Sequence, residues 1–276
     1  MPGLVIKAIS GEYEVYKDGL ITRCKPLGIF RHRGDEPKVG DYVLFDNKTI
    51  TEILPRKNSL VRPNVSNIDK VFIITSLIEP DLNLHLLDRL ITLSEWMNIP
   101  AILVFTKADL VDLTNFSKIL AYYASLNYPI YVLPQESETL KKEINDAVSV
   151  VAGQSGVGKS TLINRLGASI TLKTQEVSKA LGRGKHTTRH TELIRFASGW
   201  IADSPGFSLL DLEMDSLSLS HTFRDFFPHK CRFNKCLHLA EPDCSIKEKV
   251  KNNQILPSRY ENYLQFMQEI KDKKKY

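Results

Sequence analysis

The sequence has no long apolar run and few cysteines, and each shortage argues against a class of protein. No stretch approaches the roughly 18 consecutive apolar residues of a membrane-spanning helix, and the opening MPGLVIKAISGEYEV lacks the basic-then-apolar order of a signal peptide. We therefore expect a cytoplasmic protein without a membrane partner. Of only four cysteines, three lie between positions 231 and 244 with a histidine among them. This clustering argues against a disulfide framework and for a metal site in a reducing compartment.

The composition is otherwise that of an ordinary globular chain. With 276 residues, 42% of them hydrophobic, the chain can bury a proper core and has the length of about two domains, or three if some are small. Lys and Arg number 37 against 32 acidic residues, which gives a net charge of +5. This mild excess suits an anionic partner but equally suits a scattered, solvated surface, so charge alone does not identify a partner.

The spacing of apolar residues divides the chain into three parts. Residues 1–62 contain short alternating stretches separated by Gly, Pro and Asp, a pattern typical of a small all-β barrel. Residues 63–213 contain the β-branched runs KVFIITS, AILVFT, PIYVL and VSVVA, with the helically spaced LHLLDRLITLSEWMN between the first two; this alternation predicts an α/β domain with a parallel sheet. Residues 214–276 are more polar and carry the Cys/His cluster and further helical patterns. We expect them to form a mainly helical module.

The stretch GQSGVGKS, residues 153–160, matches the phosphate-binding pattern G-x-x-x-x-G-K-[ST] and stands between the strand-like VSVVA and the helix-like STLINRL. Glycines let this phosphate loop wrap a polyphosphate, so that its backbone amides point inward at the positive end of the next helix. We expect Lys159 to neutralise the terminal phosphates and Ser160 to bind Mg²⁺. The residues expected to contact a nucleotide here are Gly153, Gln154, Ser155, Gly156, Val157, Gly158, Lys159, Ser160 and Thr161.

The stretch TKAD, Thr106 to Asp109, is similar to the Asn-Lys-x-Asp motif of GTPases. An aspartate carboxylate at a strand end can accept hydrogen bonds from two edge nitrogens of guanine, which adenine does not offer in the same arrangement. We therefore expect Thr106, Lys107, Ala108 and Asp109 to bind a guanine base. Because Thr106 replaces the usual asparagine, we also expect weaker ordering of this segment against the phosphate loop.

Two further segments complete the expected nucleotide site. GWIADSPGF ends an apolar strand with Asp203 and Gly206, a D-x-x-G pattern that holds Mg²⁺ through water and contacts a γ-phosphate by a backbone N–H. GRGKHTTRH is a predicted switch loop, in which Thr187 or Thr188 completes the Mg²⁺ shell. Ser160 and Thr188 are the residues assigned to Mg²⁺, with Thr187 as the alternative to Thr188.

The pattern C-x4-C-x-H-x5-C, formed by Cys231, Cys236, His238 and Cys244, supplies three thiolates and one imidazole. These four ligands can close a tetrahedral shell around Zn²⁺ with no open position, so we expect one structural zinc per chain.

The order along the chain is base-reading motif, phosphate loop, switch loop and D-x-x-G, whereas ordinary GTPases place the base-reading motif last. The domain is therefore predicted to be circularly permuted. These motifs, together with PRKNSLVRPNVSNIDKVFIITS and the Cys/His cluster, resemble the RsgA (YjeQ) family of GTPases that depend on the small ribosomal subunit. The resemblance implies an N-terminal OB-fold barrel, a permuted GTPase domain and a C-terminal zinc module.

The resemblance also implies a function: a GTPase in late maturation of the small ribosomal subunit that binds rRNA and hydrolyses GTP to GDP and phosphate, with stimulation by the subunit. Many GTPases place a glutamine after D-x-x-G to orient water, whereas this chain has Phe207. We therefore expect slow turnover without a partner. His186 in the switch loop is the catalytic candidate, in keeping with the resemblance; the alternative is a basic-loop histidine without a catalytic part, and His190 is a weaker competitor.

Several readings stay open at the level of sequence. A P-loop kinase or ATPase shares GQSGVGKS but leaves Asp109 unexplained, and an RNA-binding module with a vestigial nucleotide site shares the barrel and the metal cluster. The barrel class, with RHRGDEPK and Arg56, Lys57 and Arg62 nearby, suits RNA. The segment that caps guanine O6 is assigned to the window 133–137, and a monomer is the default expectation.

Overall fold

The computed structural model describes residues 2–60, 64–165, 192–196, 198–202 and 211–273, apart from the side chains of Ser160 and Arg165. Within these ranges, no helix combines the length and the apolar character needed to cross a membrane. The described residues form a closed barrel, a six-stranded sheet with helices against it, and a C-terminal group of helices. The predicted fold class is therefore confirmed.

The N-terminal barrel closes through five strands in the order β1-β2-β3-β5-β4. Three hairpins turn within two residues, at Ser10-Gly11, Asp18-Gly19 and Asn47-Lys48, and all of these residues have a positive φ, as tight two-residue hairpin turns require. Cys24 lies in the small core that the strands enclose. The elements are β1 (Gly3–Ile9), β2 (Glu12–Lys17), β3 (Leu20–Pro26), α1 (Gly28–Arg33), β4 (Tyr42–Asp46) and β5 (Thr49–Ile53).

The central sheet has the order β10-β11-β9-β6-β7-β8. All neighbours are parallel except β10 and β11, and β6, β7 and β9 are almost entirely buried because their apolar runs face helices on both sides. The strands are β6 (Lys70–Ser76), β7 (Ala101–Thr106), β8 (Ile130–Val132), β9 (Val148–Ala152), β10 (Leu193–Phe196) and β11 (Gly199–Ala202); the helices are α2 (Leu84–Trp96), α3 (Ser117–Ser125), α4 (Ser137–Lys142) and α5 (Lys159–Arg165).

The C-terminal module contains α6 (Ser216–His221), α7 (Ser245–Lys251) and α8 (Pro257–Lys273). The Asp215 carboxylate caps α6 by accepting hydrogen bonds from the N–H groups of Leu217 and Ser218 at 2.8 Å. The buried side chains of α8 join the same hydrophobic core as those of α2. The module therefore packs directly on the α/β domain.

A buried ion network joins these two parts of the chain. Arg259 on α8 is fully buried, and its Nη1 lies 2.5 Å from Asp88 on α2, while its Nε lies 3.1 Å from Asp225. Burial by itself lowers the pKa of Arg259, but the two carboxylates raise it well above its ordinary value, so the guanidinium is charged. Tyr123 and Asn262 donate to Asp88 at 2.7 Å, which leaves this buried carboxylate well paired.

The barrel contacts the edge of the sheet formed by β10. Lys7 on β1 forms an antiparallel β-bridge with Glu192, and their side chains form an ion pair at 2.5 Å. Arg195 on β10 lies against the rings of Tyr16 and Trp200, with its Cζ 5.0 and 4.9 Å from their centroids. The barrel is therefore in contact with the strand that follows GRGKHTTRH in the sequence.

The basic residues after β5 are engaged within the protein. Arg56 donates from Nε to buried Asp41 at 2.7 Å and pairs with Asp35 at 2.6 Å, and Lys57 pairs with Asp69. These contacts hold the connecting segment against the barrel and the sheet. Arg62, the third basic residue expected to favour RNA, lies outside the described residues.

Candidate functional site

Three neighbouring parallel strands bring the candidate site together at one edge of the sheet. In the sheet β6 lies between β9 and β7, with Ile73 opposite Ala152 and Ser76 opposite Thr106. Because these strands run in the same direction, the segments that follow them meet at their carboxyl ends, where open α/β sheets bind ligands. The phosphate loop follows β9, and the TKAD segment follows β7.

The phosphate loop has the backbone that its glycines predict. Gly153 has φ +145°, and a Cβ there would lie 2.1 Å from the carbonyl oxygen of Ile74, so this position excludes any side chain. Gly158 has φ +94°, and α5 begins at the next residue. Val157 is buried in the core, which leaves only its backbone available to a ligand.

Lys159 lies against the loop that precedes it. Its Nζ donates to the carbonyl oxygens of Gly153 at 2.7 Å and Gln154 at 2.6 Å. A polyphosphate that entered the loop would offer this ammonium anionic acceptors, which form stronger hydrogen bonds than neutral carbonyls do. The position of Lys159 is therefore consistent with its expected role.

Thr106 connects the base-reading segment to the phosphate loop. Its side chain is buried, and Oγ1 lies 2.7 Å from the carbonyl oxygen of Val157 and 3.3 Å from that of Thr75. The hydroxyl thus supplies a donor to the phosphate loop in place of the asparagine amide, and the expectation that this replacement weakens the ordering stays a prediction. The sequence alone could not reveal this bond, since it depends on the approach of β7 to the loop after β9.

The TKAD segment and the phosphate loop line one pocket of about 190 Å³. Lys107 has φ +61° and precedes a short 3-10 helix over Ala108–Leu110. Asp109 is exposed at the rim, whereas Ala108 is buried and donates its N–H to Leu133 at 3.1 Å. The pocket is lined by Thr106, Lys107, Asp109, Leu110, Leu133, Pro134, Ser137, Gly158, Thr161 and Leu162.

The lining suits a flat base with a polar edge. Leu133, Pro134 and Leu162 supply apolar surface, and Asp109 supplies a carboxylate, the combination that binds and orients small aromatic ligands. Three members of the window 133–137 line the same pocket. The assignment of the O6 cap to this window stays a prediction.

Several expected site residues lie outside the described residues. They are His186, Thr187, Thr188, His190, Asp203, Gly206 and Phe207, together with the side chain of Ser160. The described part of the site therefore consists of the base pocket, the backbone of the phosphate loop and the Lys159 side chain.

The Cys/His cluster forms a compact centre in the C-terminal module. The ligand atoms of Cys231, Cys236, His238 and Cys244 all lie within 4.8 Å of one another. The Sγ atoms of Cys231 and Cys244 are 3.9 Å apart, and His238 Nδ1 lies 3.6 and 3.4 Å from them. A tetrahedral zinc with its usual bond lengths places two sulfurs about 3.8 Å apart and a sulfur and a nitrogen about 3.6 Å apart. The four residues therefore fit zinc.

The surroundings prepare His238 as a neutral ligand. Burial lowers the pKa of His238 to about 4, so the imidazole is uncharged at neutral pH, as metal binding requires. Burial raises the pKa of the Cys236 thiol to about 12, so the metal must displace its proton. Nδ1 is the ring nitrogen that faces the sulfurs of Cys231 and Cys244, so it is the nitrogen placed to bind the metal.

Tyr260 and Tyr263 of α8 hold the backbone of this centre, a role that our sequence analysis missed. Tyr260 donates to the carbonyl oxygen of His238 at 2.6 Å, and Tyr263 donates to that of Leu237 at 2.5 Å. The Glu241 carboxylate accepts hydrogen bonds from the N–H groups of Leu237 and Leu239 at 2.8 and 2.7 Å. The two tyrosines are three positions apart on α8, so the sequence does indicate that they share one face of that helix.

Comparison with known proteins gives consistent matches over nearly the whole chain. The RsgA GTPase family matches residues 53–213, and the RsgA N-terminal domain matches residues 2–52. The small ribosomal subunit biogenesis GTPases RsgA 2 of Oceanobacillus iheyensis and RsgA of Bacillus cereus are each 43% identical, over 99% of this chain and 98% of their own length.

Two solved structures are also similar. YjeQ from Thermotoga maritima matches with a TM-score of 0.84 and 31% identity, covering 97% of each chain. YloQ, a circularly permuted GTPase, matches with a TM-score of 0.81 and 35% identity, covering 98% of this chain and 95% of its own.

Proposed function

The chain belongs to the RsgA family of GTPases, and from this premise we propose that it hydrolyses GTP to GDP and phosphate during late maturation of the small ribosomal subunit. The observation that carries the proposal is the common pocket of Asp109, at the end of the base-reading segment, and Gly158 and Thr161 of the phosphate-loop region. A single purine nucleotide can contact the base-reading segment with its base and the phosphate loop with its phosphates only if the two segments are adjacent. The relatives named above carry the same activity in their names.

The proposed preference for guanine comes from Asp109. Its carboxylate is exposed at the pocket rim beside apolar walls, where it can accept from the two guanine edge nitrogens. Adenine would leave the carboxylate without these donors. A site rejects a ligand more strongly when binding leaves one of its polar groups unpaired than when only apolar contacts differ. This preference separates the proposal from an ATP-dependent enzyme.

The phosphates and the metal are assigned to the loops around the sheet edge. Mg²⁺ bound with the nucleotide neutralises charge that develops on the phosphates. Ser160 and Thr188 would hold it directly and Asp203 through water, while Gly206 would donate its N–H to the γ-phosphate. Backbone amides of the phosphate loop and the Lys159 ammonium would hold the remaining oxygens in place. Thr187 is kept as the alternative to Thr188.

The subunit is proposed to complete the catalytic site. Phe207 has no group that can orient water, so hydrolysis by the isolated chain should be slow. His186 is the residue proposed to act on the attacking water, once the subunit has ordered the His186 side chain.

The flanking modules are proposed to bind rRNA. Barrels of this class bind nucleic acids through their loops and one sheet face, and the chain carries a net charge of +5. The zinc assigned to the Cys/His centre would be structural, because four protein ligands leave no open position. We propose domain limits of 1–62, 63–213 and 214–276, a monomer, and a cytoplasmic location.

Phosphate release from GTP and from ATP, each with and without purified small ribosomal subunits, tests the proposal. Slow release from GTP that rises severalfold with subunits, and no comparable release from ATP, is the expected result. Equal use of ATP would contradict the role of Asp109. A GTP rate that subunits leave unchanged would contradict the ribosomal assignment.

A further inference from the structure

The turn between β6 and α2 lies beside both halves of the nucleotide site, although no sequence motif marks it. Ser76, the last residue of β6, is buried, and its Oγ donates to the carbonyl oxygen of Pro80 at 2.6 Å. The N–H of the next residue, Leu77, donates to the carbonyl oxygen of Thr106 at 3.1 Å. The turn is therefore bonded at its start to the end of β7, where the base-reading segment begins.

The same turn contacts Lys107 and the phosphate loop. Lys107 donates from Nζ to the carbonyl oxygen of Glu79. Pro80 Cδ lies 3.6 Å from the position that a Cβ on Gly156 would take. Lys107 thus spans from the end of β7 to a turn that lies against the phosphate loop.

Glu79 has a backbone conformation that needs support from its neighbours. Its φ is +51°, which is uncommon for a residue other than glycine and persists only where surrounding contacts determine it. The described contacts on either side are the Ser76 hydroxyl, which holds the Pro80 carbonyl, and the Lys107 ammonium, which holds the Glu79 carbonyl.

We propose that Ser76 is a positioning residue for nucleotide binding: by fixing this turn, it presents the Glu79 carbonyl as an anchor that holds Lys107 extended along the base pocket. The inference rests on the proposed function, because Lys107 belongs to the segment expected to bind guanine and lines the base pocket. A free lysine side chain loses about 1.5 to 2 kcal/mol of rotamer entropy when it is immobilised. An anchor that is present before the ligand arrives removes part of that cost from binding.

Equilibrium binding of fluorescent N-methylanthraniloyl-GDP to the full-length protein tests this role. Ser76→Ala is expected to weaken binding roughly fivefold, the effect of one neutral hydrogen bond. Lys107→Met keeps the apolar stem but removes the ammonium, so in that background Ser76→Ala should cause no further loss. This double-mutant comparison separates an effect through Lys107 from a general disturbance of the sheet.

Ser94→Ala is the matched control. Ser94 is also a buried serine whose Oγ donates to a backbone carbonyl at 2.6 Å, that of Ile99, but neither residue lines the base pocket. It should change the melting temperature without changing the affinity for the labelled GDP. Ser76→Cys, which has similar size and a weaker donor, provides the same comparison if Ser76→Ala does not fold.

The outcomes are distinguishable. Wild-type affinity in Ser76→Ala, or the same loss with and without the Lys107 ammonium, would overturn the inference while the proposed function stands. A wild-type protein that binds no labelled GDP would remove the proposed function, and the inference with it.

Discussion

Thr106 connects the base-reading segment to the phosphate loop, and its substitution gives the sharpest test of the site. Thr106→Val replaces the hydroxyl by a methyl group of similar size, so packing is retained while the 2.7 Å bond to the Val157 carbonyl is lost. That carbonyl belongs to the phosphate loop, and a buried acceptor without its donor costs about 1 to 3 kcal/mol. We expect about 1 kcal/mol of this to appear in nucleotide binding, a roughly fivefold rise in the GDP dissociation constant.

The assay is titration calorimetry with GDP, accompanied by thermal unfolding of the free protein. Thr92→Val is the matched control, because Thr92 is also a buried threonine, on α2, and its hydroxyl has no hydrogen-bond partner among the described residues. This control should bind GDP like the wild type, while Thr106→Asn, which restores the common motif, should retain most of the affinity. Wild-type affinity in Thr106→Val would refute the reasoning.

Three further predictions concern the base, the ion network and the metal. Asp109→Asn should weaken GTP binding roughly 10- to 100-fold, because it removes a charged acceptor, and should improve binding of XTP, whose base has a carbonyl where guanine has an amine; competition titrations measure both. Arg259→Met should lower the urea unfolding free energy by about 3 to 5 kcal/mol, because two carboxylates lose their partner, whereas the exposed Arg232→Met should change it by less than about 1 kcal/mol. Cys244→Ser should lose bound zinc, measured by elemental analysis, while Cys24→Ser should retain it.

Local signals explain why much of the fold could be predicted. The runs KVFIITS, AILVFT and VSVVA are strands whose buried faces require apolar residues at nearly every position. The Asp18-Gly19 turn carries the two residue types that a positive φ favours. The phosphate loop and the cysteine cluster were visible because their ligands lie close together in the sequence.

The contacts between distant segments could not be predicted, because no local pattern encodes them. Asp88 and Arg259 are 171 positions apart, and each alone reads as an ordinary charged residue of an amphipathic helix. The bond from Thr106 to Val157 depends on strand order in the sheet. Arg56 is expected from its charge to favour RNA, but its ion pairs with Asp35 and Asp41, 21 and 15 positions away, carry no local signal in the sequence.

The two flanking modules contact the α/β domain through different elements, and this bears on how nucleotide state can reach them. The C-terminal module is joined to α2 by the buried Arg259 network and a continuous apolar core. Breaking such a contact would strand charges in a low-dielectric interior, so the two parts should move as one unit. The barrel shares this core through Leu4 and Ile6 of β1, and it also contacts β10 through the partly exposed pair Lys7 and Glu192 and the stacked Arg195. β10 begins shortly after GRGKHTTRH in the sequence. A conformational change in that segment therefore reaches the barrel contacts through fewer residues of chain than it needs to reach the zinc module.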